Sequence, residues 1–462
     1  MKNICTQTSI CGKENSFLNR YCVNCGRQLK SHVTWGNSCA NLSRTSSYNG
    51  FATDYQLKEV LSHELMPQSF DVRNNPQAIL IYDNLWFWGN DIITLYQFDI
   101  AREFDTILSS LINASDYRGC GEPTFSSTPA FDGIGVDFIH DGKFTRVSAF
   151  NGKIIGRILE DPAFNETQRC TPVVAEYESN EKLYKTNRYW ITCLKKHLLI
   201  VDVRFVQEED YHLIPWRNEN DDEARSPVIY KDHAYVVSRN GKIFRSKINA
   251  EFKSHIKNQK QVEEIVTLEN DYCFAPMLIN GHIVFQTLSK TSGPSADNHA
   301  EDWREIGYAS YHIDNESLFT FPTGEYAKLS TLESLGHLSG LSDGYFAYFS
   351  NRSSSKYHYV KFTPGQKPLP KNLNWKESNT RPPGFSTKNT IIYNDSLIVL
   401  DSNKKRIVKW SLKEDKGAVI DSIPIINNSN INANKLISQP LVFGDILLII
   451  FDNHIVKLKI RS

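Results

Sequence analysis

The chain has 462 residues, with 52 lysines plus arginines against 52 aspartates plus glutamates, so its formal net charge is zero. That balance does not favour nucleic acid or an anionic membrane as a bulk partner. No stretch approaches the roughly 18 consecutive apolar residues of a membrane span, and the opening MKNICTQTSICGK is too polar for a signal peptide.

Four cysteines crowd the first residues: Cys5, Cys11, Cys22 and Cys25, spaced C-x5-C-x10-C-x2-C. Cys11 and Cys25 are each followed by glycine, which lets backbone N–H groups approach a thiolate. The run Tyr21-Cys22-Val23-Asn24-Cys25-Gly26-Arg27-Gln28-Leu29 resembles the second knuckle of a small zinc ribbon. Four thiolates in a tetrahedron suit Zn2+, and such closed sites are structural. Residues 1–30 are therefore expected to form a zinc ribbon held by Cys5, Cys11, Cys22 and Cys25. The five-residue first gap leaves His32 or Cys39 open as a replacement for Cys5. A segment this short has almost no apolar core and needs a metal or a disulfide. The other five cysteines, at 39, 120, 170, 193 and 273, are scattered. An odd total without framework spacing points to a reducing, cytoplasmic setting.

Residues 31–66 read as a linker with a short helix. The stretch 30–53 is rich in Ser, Asn, Thr and Gly. From Asp54 to Leu65, Leu57, Val60, Leu61 and Leu65 share one helical face and Asp54 is a candidate cap. That helix would pack on the following domain or dock a partner.

Residues 67–462 repeat at roughly fifty-residue spacing, the signature of a solenoid, propeller or array. The clearest copy is SPVIYKDHAYVVSRNGKIFRSKI, Ser226 to Ile248. It reads as a strand opened by Pro227, a turn at Lys231-Asp232, a strand at Ala234 to Val237, a tight turn at Asn240-Gly241 and a strand at Ile243 to Ile248. Pro76, Pro129, Pro172, Pro276 and Pro440 open further copies, and weaker ones begin at Gly340 and Asn389. Each unit alternates apolar β-branched and aromatic runs with Asn, Asp or Gly breaks. Proline at a strand start costs little, because the lost donor lies at the ladder's end. Asn240-Gly241 and Asn151-Gly152 supply the positive φ of a hairpin turn. One four-stranded sheet cannot bury both faces, and radial packing of such sheets does so. The expectation is an all-β fold, a seven- or eight-bladed β-propeller of four-stranded antiparallel blades. The last unit ends at Ile460, so a strand near Phe70 to Val72 should close the ring.

The proline, the paired apolar runs, Gly241-Lys242-Ile243-Phe244, and Ala149-Phe150-Asn151-Gly152-Lys153 resemble the quinoprotein-like β-propeller repeat over about residues 70 to 460. Enzymes of that family bind pyrroloquinoline quinone and calcium outside the cytosol. This chain has no vicinal cysteine pair and lacks their regular blade tryptophans, so the resemblance implies a non-catalytic binding propeller.

Other clusters have bland readings. Glu208-Glu209-Asp210 and Asp221-Asp222-Glu223 flank Trp216 without the oxygen spacing of a calcium loop. Ser289 to Glu305 reads as a long insertion and a candidate contact surface, and its His299, Asp297 and Asp302 lack a rigid frame for acid–base work. His197, His233, His282 and His454 fall at strand edges or turns. Trp86 and Trp88 share one face of a strand. No phosphate loop, nucleophile elbow or HExxH pattern occurs. The expected function is a non-catalytic scaffold for protein partners. A small-ligand sensor and a quinone-dependent dehydrogenase are the alternatives.

Overall fold

A computed structural model describes strands along the whole chain, and side chains mainly within residues 130–326, with short stretches at 396–409 and 441–456. Among the described strands, eight sheets of four or five strands follow one another in sequence. The fourth is representative: Val228–Tyr230, His233–Val237, Lys242–Lys247 and Glu263–Thr267 pair as neighbours, all antiparallel. The second spans Ala130–Phe131 to Leu159–Glu160, and the third Val173–Glu178 to Tyr211–Pro215.

The sheets form a ring. The innermost strand of each touches the innermost strand of the next, from Ala130–Phe131 in the second sheet through Met277–Ile279 in the fifth and Leu338–Leu341 in the sixth to Thr390–Tyr393 in the seventh. Val419–Pro424 of the seventh sheet touches Gln56–Glu64 of the last, and Leu441–Phe443 of the last touches Gln77–Ile81 of the first, which brings the end of the series back to its start. Innermost strands therefore surround an axis and the last strands lie outside, the arrangement of a β-propeller.

Local sequence places the strands. Pro76, Pro129, Pro172, Pro227, Pro276 and Pro440 each stand immediately before the innermost strand of a sheet. The missing N–H falls where the ladder begins. At Asn240-Gly241, Gly241 has φ 88°, and a Cβ there would lie 2.6 Å from the Leu268 carbonyl oxygen. Only glycine satisfies both constraints. The segments before the prolines also tie sheet to sheet. The Thr171 N–H donates to Ser226 Oγ at 2.8 Å, and Arg225 Nε donates to the Cys273 carbonyl at 3.0 Å.

The core lies between sheets. Successive residues of a strand face opposite ways. In Thr186–Cys193, Tyr189, Ile191 and Cys193 pack with Ala234, Val236 and Phe244 of the fourth sheet, whereas Trp190 packs with Ile139 and Phe144 of the second. The Trp190 and Phe144 rings meet edge to face at 5.2 Å. The same interface holds a buried ion pair, because Asp137 and Arg146 sit two residues along from Ile139 and Phe144 on the same faces. Arg146 Nε donates to Asp137 Oδ1 at 2.8 Å. The side chains are 4% and 0% exposed.

Three expectations are corrected. The helix expected over Asp54 to Leu65 is a strand, Gln56–Glu64, paired antiparallel along His454–Arg461 as the fourth strand of the last sheet. An isolated helix of that length is marginal in water, whereas the strand covers an otherwise open sheet edge. The helical spacing of the leucines is overridden by tertiary pairing. The same strand supplies the ring closure assigned to Phe70 to Val72, and residues 65–76 lie outside the described residues. The linker expected over 31–66 also contains Val33–Trp35, paired with Gln77–Ile81, and Ser47–Tyr48, paired parallel with Thr390–Tyr393.

Candidate functional site

The described polar clusters concentrate where the fourth and fifth sheets meet. The fifth sheet consists of Asp271–Cys273 and Met277–Ile279, both paired to His282–Lys290, followed by Trp303–His312 and Ser317–Lys328. On one rim the turns at 231–232, 280–281 and 313–316 lie together. Asp314 bridges the sheets: Tyr230 Oη donates to its Oδ2 at 2.8 Å and Lys231 Nζ to its Oδ1 at 2.7 Å. Those donors, Lys231 first, hold the Asp314 carboxyl below its ordinary value. The bond to Asp314 raises the Tyr230 hydroxyl and the Lys231 ammonium in turn. Arg245 Nε donates to Glu263 Oε2 at 2.8 Å, and Arg245 Nη1 lies 3.6 Å from Glu316 Oε1. His233 Nδ1 lies 2.7 Å from Asp232 Oδ1. This rim is charge-matched and links neighbouring sheets.

Just inside it, His282 and His312 pack edge to face at 4.4 Å, as their cross-strand pairing dictates. His312 Nδ1 accepts the Asn315 N–H at 3.0 Å, so a neutral His312 carries its proton on Nε2. His282 Nδ1 lies 3.0 Å from Ser310 Oγ. Burial, then the nearby His312, lowers the His282 pKa to about 4. A serine beside a histidine is the beginning of a nucleophilic pair. Ser310 is 0% exposed and His282 6%, so the contact joins two strands inside the sheet and offers no surface to a substrate.

The opposite rim carries Arg225, Arg239, Tyr272 and Phe274. The two guanidinium carbons stand 5.2 and 4.6 Å from the Tyr272 ring centre, and Phe274 packs against that ring at 5.2 Å. The Cys273 N–H donates to the Arg239 carbonyl at 2.7 Å, which fixes the aromatic pair against the turn at Asn240-Gly241.

Cys5, Cys11, Cys22 and Cys25, with His32 and Cys39, lie outside the described residues, as do both acidic triplets, Trp216, Asp297, His299 and Asp302. The hairpin of Lys2–Ile4 and Glu14–Ser16 has Cys5 and Cys11 between its strands in sequence. Among the described residues, no three His, Cys, Asp or Glu are placed to share a metal ion. The four histidines each open a strand, in the third, fourth, fifth and eighth sheets. Trp86 and Trp88 sit two apart in Asn84–Gly89. Ser289, Lys290, Arg304 and Glu305, expected in the insertion, belong to the sheet ladder. Sequence reasoning missed the Asp314 bridge and the Arg146–Asp137 pair. Asp314 and Tyr230 are 84 residues apart, and no local pattern links them.

No protein-family model matches the chain, and no curated protein matches it. Among solved structures, it is similar to BamB from Moraxella catarrhalis at 12% identity, with a TM-score of 0.49, over 87% of this chain and 99% of that one. It is similar to the computationally designed Ika8 protein at 10% identity and a TM-score of 0.48, over 88% and 99%. It is similar to the WD40 domain of SCAP from fission yeast at 9% identity and a TM-score of 0.45, over 88% and 95%. The fold assignment rests on the chain's own sheet order: it is a β-propeller.

Proposed function

We propose that the chain is a non-catalytic interaction scaffold, an eight-bladed propeller of quinoprotein-like repeats with an N-terminal structural zinc module, working in the cytoplasm. The observation that carries the scaffold reading is the length of the fifth sheet. Its last three strands run 9, 10 and 12 residues, against 5, 6 and 5 in the fourth sheet. The ladder continues from His282 to Lys290 and from Arg304 to His312, and in sequence it leads into and out of residues 291–302. A long connection between two extended, paired strands is a natural contact element for a protein partner. Four thiolates at Cys5, Cys11, Cys22 and Cys25 suit Zn2+, and the hairpin around Cys5 and Cys11 fits a knuckle at that point. When bound, zinc would supply folding energy to residues 1–30 and no chemistry. Cys170, Cys193 and Cys273 are buried and form no disulfide, which suits a reducing compartment.

The test is co-purification from the native host, comparing the full chain with one in which residues 291–302 are replaced by a short Gly-Ser turn. Loss of a partner with an unchanged melting temperature is expected. Retention of every partner, or turnover of a substrate with a bound quinone, overturns the reading.

A further inference from the structure

The innermost strands present their inner edges to the axis, and two of those edges are occupied. Val33–Trp35 pairs with Gln77–Ile81 on the side away from Asn84–Gly89, and Ser47–Tyr48 pairs with Thr390–Tyr393 on the side away from Ser396–Asp401. Val33–Trp35 also touches Leu441–Phe443, and Ser47–Tyr48 touches Leu338–Leu341, both innermost strands of neighbouring sheets. Both short strands therefore lie inside the ring. Only eight residues after Tyr48, the chain reaches Gln56–Glu64 on the outer edge of the last sheet.

We propose that the inner edges of Gln77–Ile81 and Thr390–Tyr393 are strand-acceptor sites, plugged by Val33–Trp35 and Ser47–Tyr48 of the same chain. An innermost strand spends one side of its backbone on its neighbour, and the donors and acceptors of its other side need partners. An extended segment satisfies them by adding a strand, with main-chain bonds giving affinity. Val33-Thr34-Trp35 and Ser47-Tyr48 are uncharged, β-branched or aromatic residues apart from one serine, and suit that role. The plug pairs through two residues at each acceptor edge, whereas the ring-closing strand pairs through eight. The plug therefore leaves at lower cost than the clasp, and the acceptor edges fit an extended, uncharged, aromatic-bearing segment. The inference rests on the propeller fold and is independent of the scaffold reading.

Hydrogen exchange by mass spectrometry on the full chain is the first measurement. Amides at 33–35 and 47–48 should exchange at least tenfold more slowly than unstructured chain. The second uses the full-length variant Val33→Pro/Trp35→Pro/Tyr48→Pro, since proline removes ladder donors. These segments should then exchange freely while 56–64 stays protected. A fluorescein-labelled peptide of residues 31–50 should bind the variant saturably and not the parent. Free exchange at 33–35 and 47–48 in the parent overturns the proposal. So does a peptide that binds both proteins alike, or neither, with 56–64 protected. If the variant loses protection at 56–64 as well, exchange in the parent decides.

Discussion

Replacing Asp137 by alanine probes how much of the ring's stability rests on one buried ion pair within the second sheet, on the face packed against the third. Arg146 gives Asp137 a bond of 2.8 Å from Nε and one of 3.5 Å from Nη2, with both side chains almost wholly buried. On the surface such a pair contributes about 0–1 kcal/mol. Here burial sets the size of the effect, because the alanine variant leaves a guanidinium out of water without its carboxylate, which costs about 3–5 kcal/mol. Arg146→Met should destabilise too, by leaving the carboxylate buried. Asp137→Leu/Arg146→Met removes both charges and should recover most of the loss, since an apolar pair of similar volume is often neutral or better. Urea denaturation followed by tryptophan fluorescence is the assay. Trp190 is 0% exposed and packs in the same interface, so its emission reports the separation of these sheets. A cost below about 1 kcal/mol for Asp137→Ala, or a double variant as weak as the singles, would refute the reasoning.

Acid should weaken the protein through His282. Its folded pKa is lowered from 6.5 to about 4, so between those values the unfolded chain takes up a proton that the folded one refuses. That contribution is present above pH 6.5 and lost as pH falls toward 4, by at most about 3 kcal/mol. His282→Asn should flatten the decline in urea midpoint over that range, and parallel curves for variant and parent would contradict the assignment. Gly241→Ala should cost about 1–3 kcal/mol in the same assay, from positive φ and the Leu268 carbonyl together; an unchanged midpoint would count against the turn geometry. Elemental analysis of unsupplemented protein should find one zinc per chain, lost in Cys22→Ser/Cys25→Ser, and less than about half an equivalent in the parent would remove the zinc module.

The repeat was legible in the sequence because each unit is built from short-range rules. Six prolines stand immediately before innermost strands, and Asn240-Gly241 makes the hairpin its residue types require. Period-two runs with turn residues between them define a sheet whatever lies beside it. The order of the sheets follows from chain order for the same reason. What the sequence could not decide are the pairings that join distant segments. Leu57, Val60, Leu61 and Leu65 fit a helix in isolation, and only the open edge of His454–Arg461, nearly four hundred residues on, makes Gln56–Glu64 a strand. Ser47-Tyr48 has no local mark of an axial strand until Thr390–Tyr393 stands beside it. Asp314 is one exposed acid among many until the turn at Glu316 and the neighbouring sheet bring Tyr230 and Lys231 to its two oxygens. Local propensity amounts to tenths of a kcal/mol per residue, and a ladder or a buried pair to several, so wherever the two disagree the tertiary partner prevails.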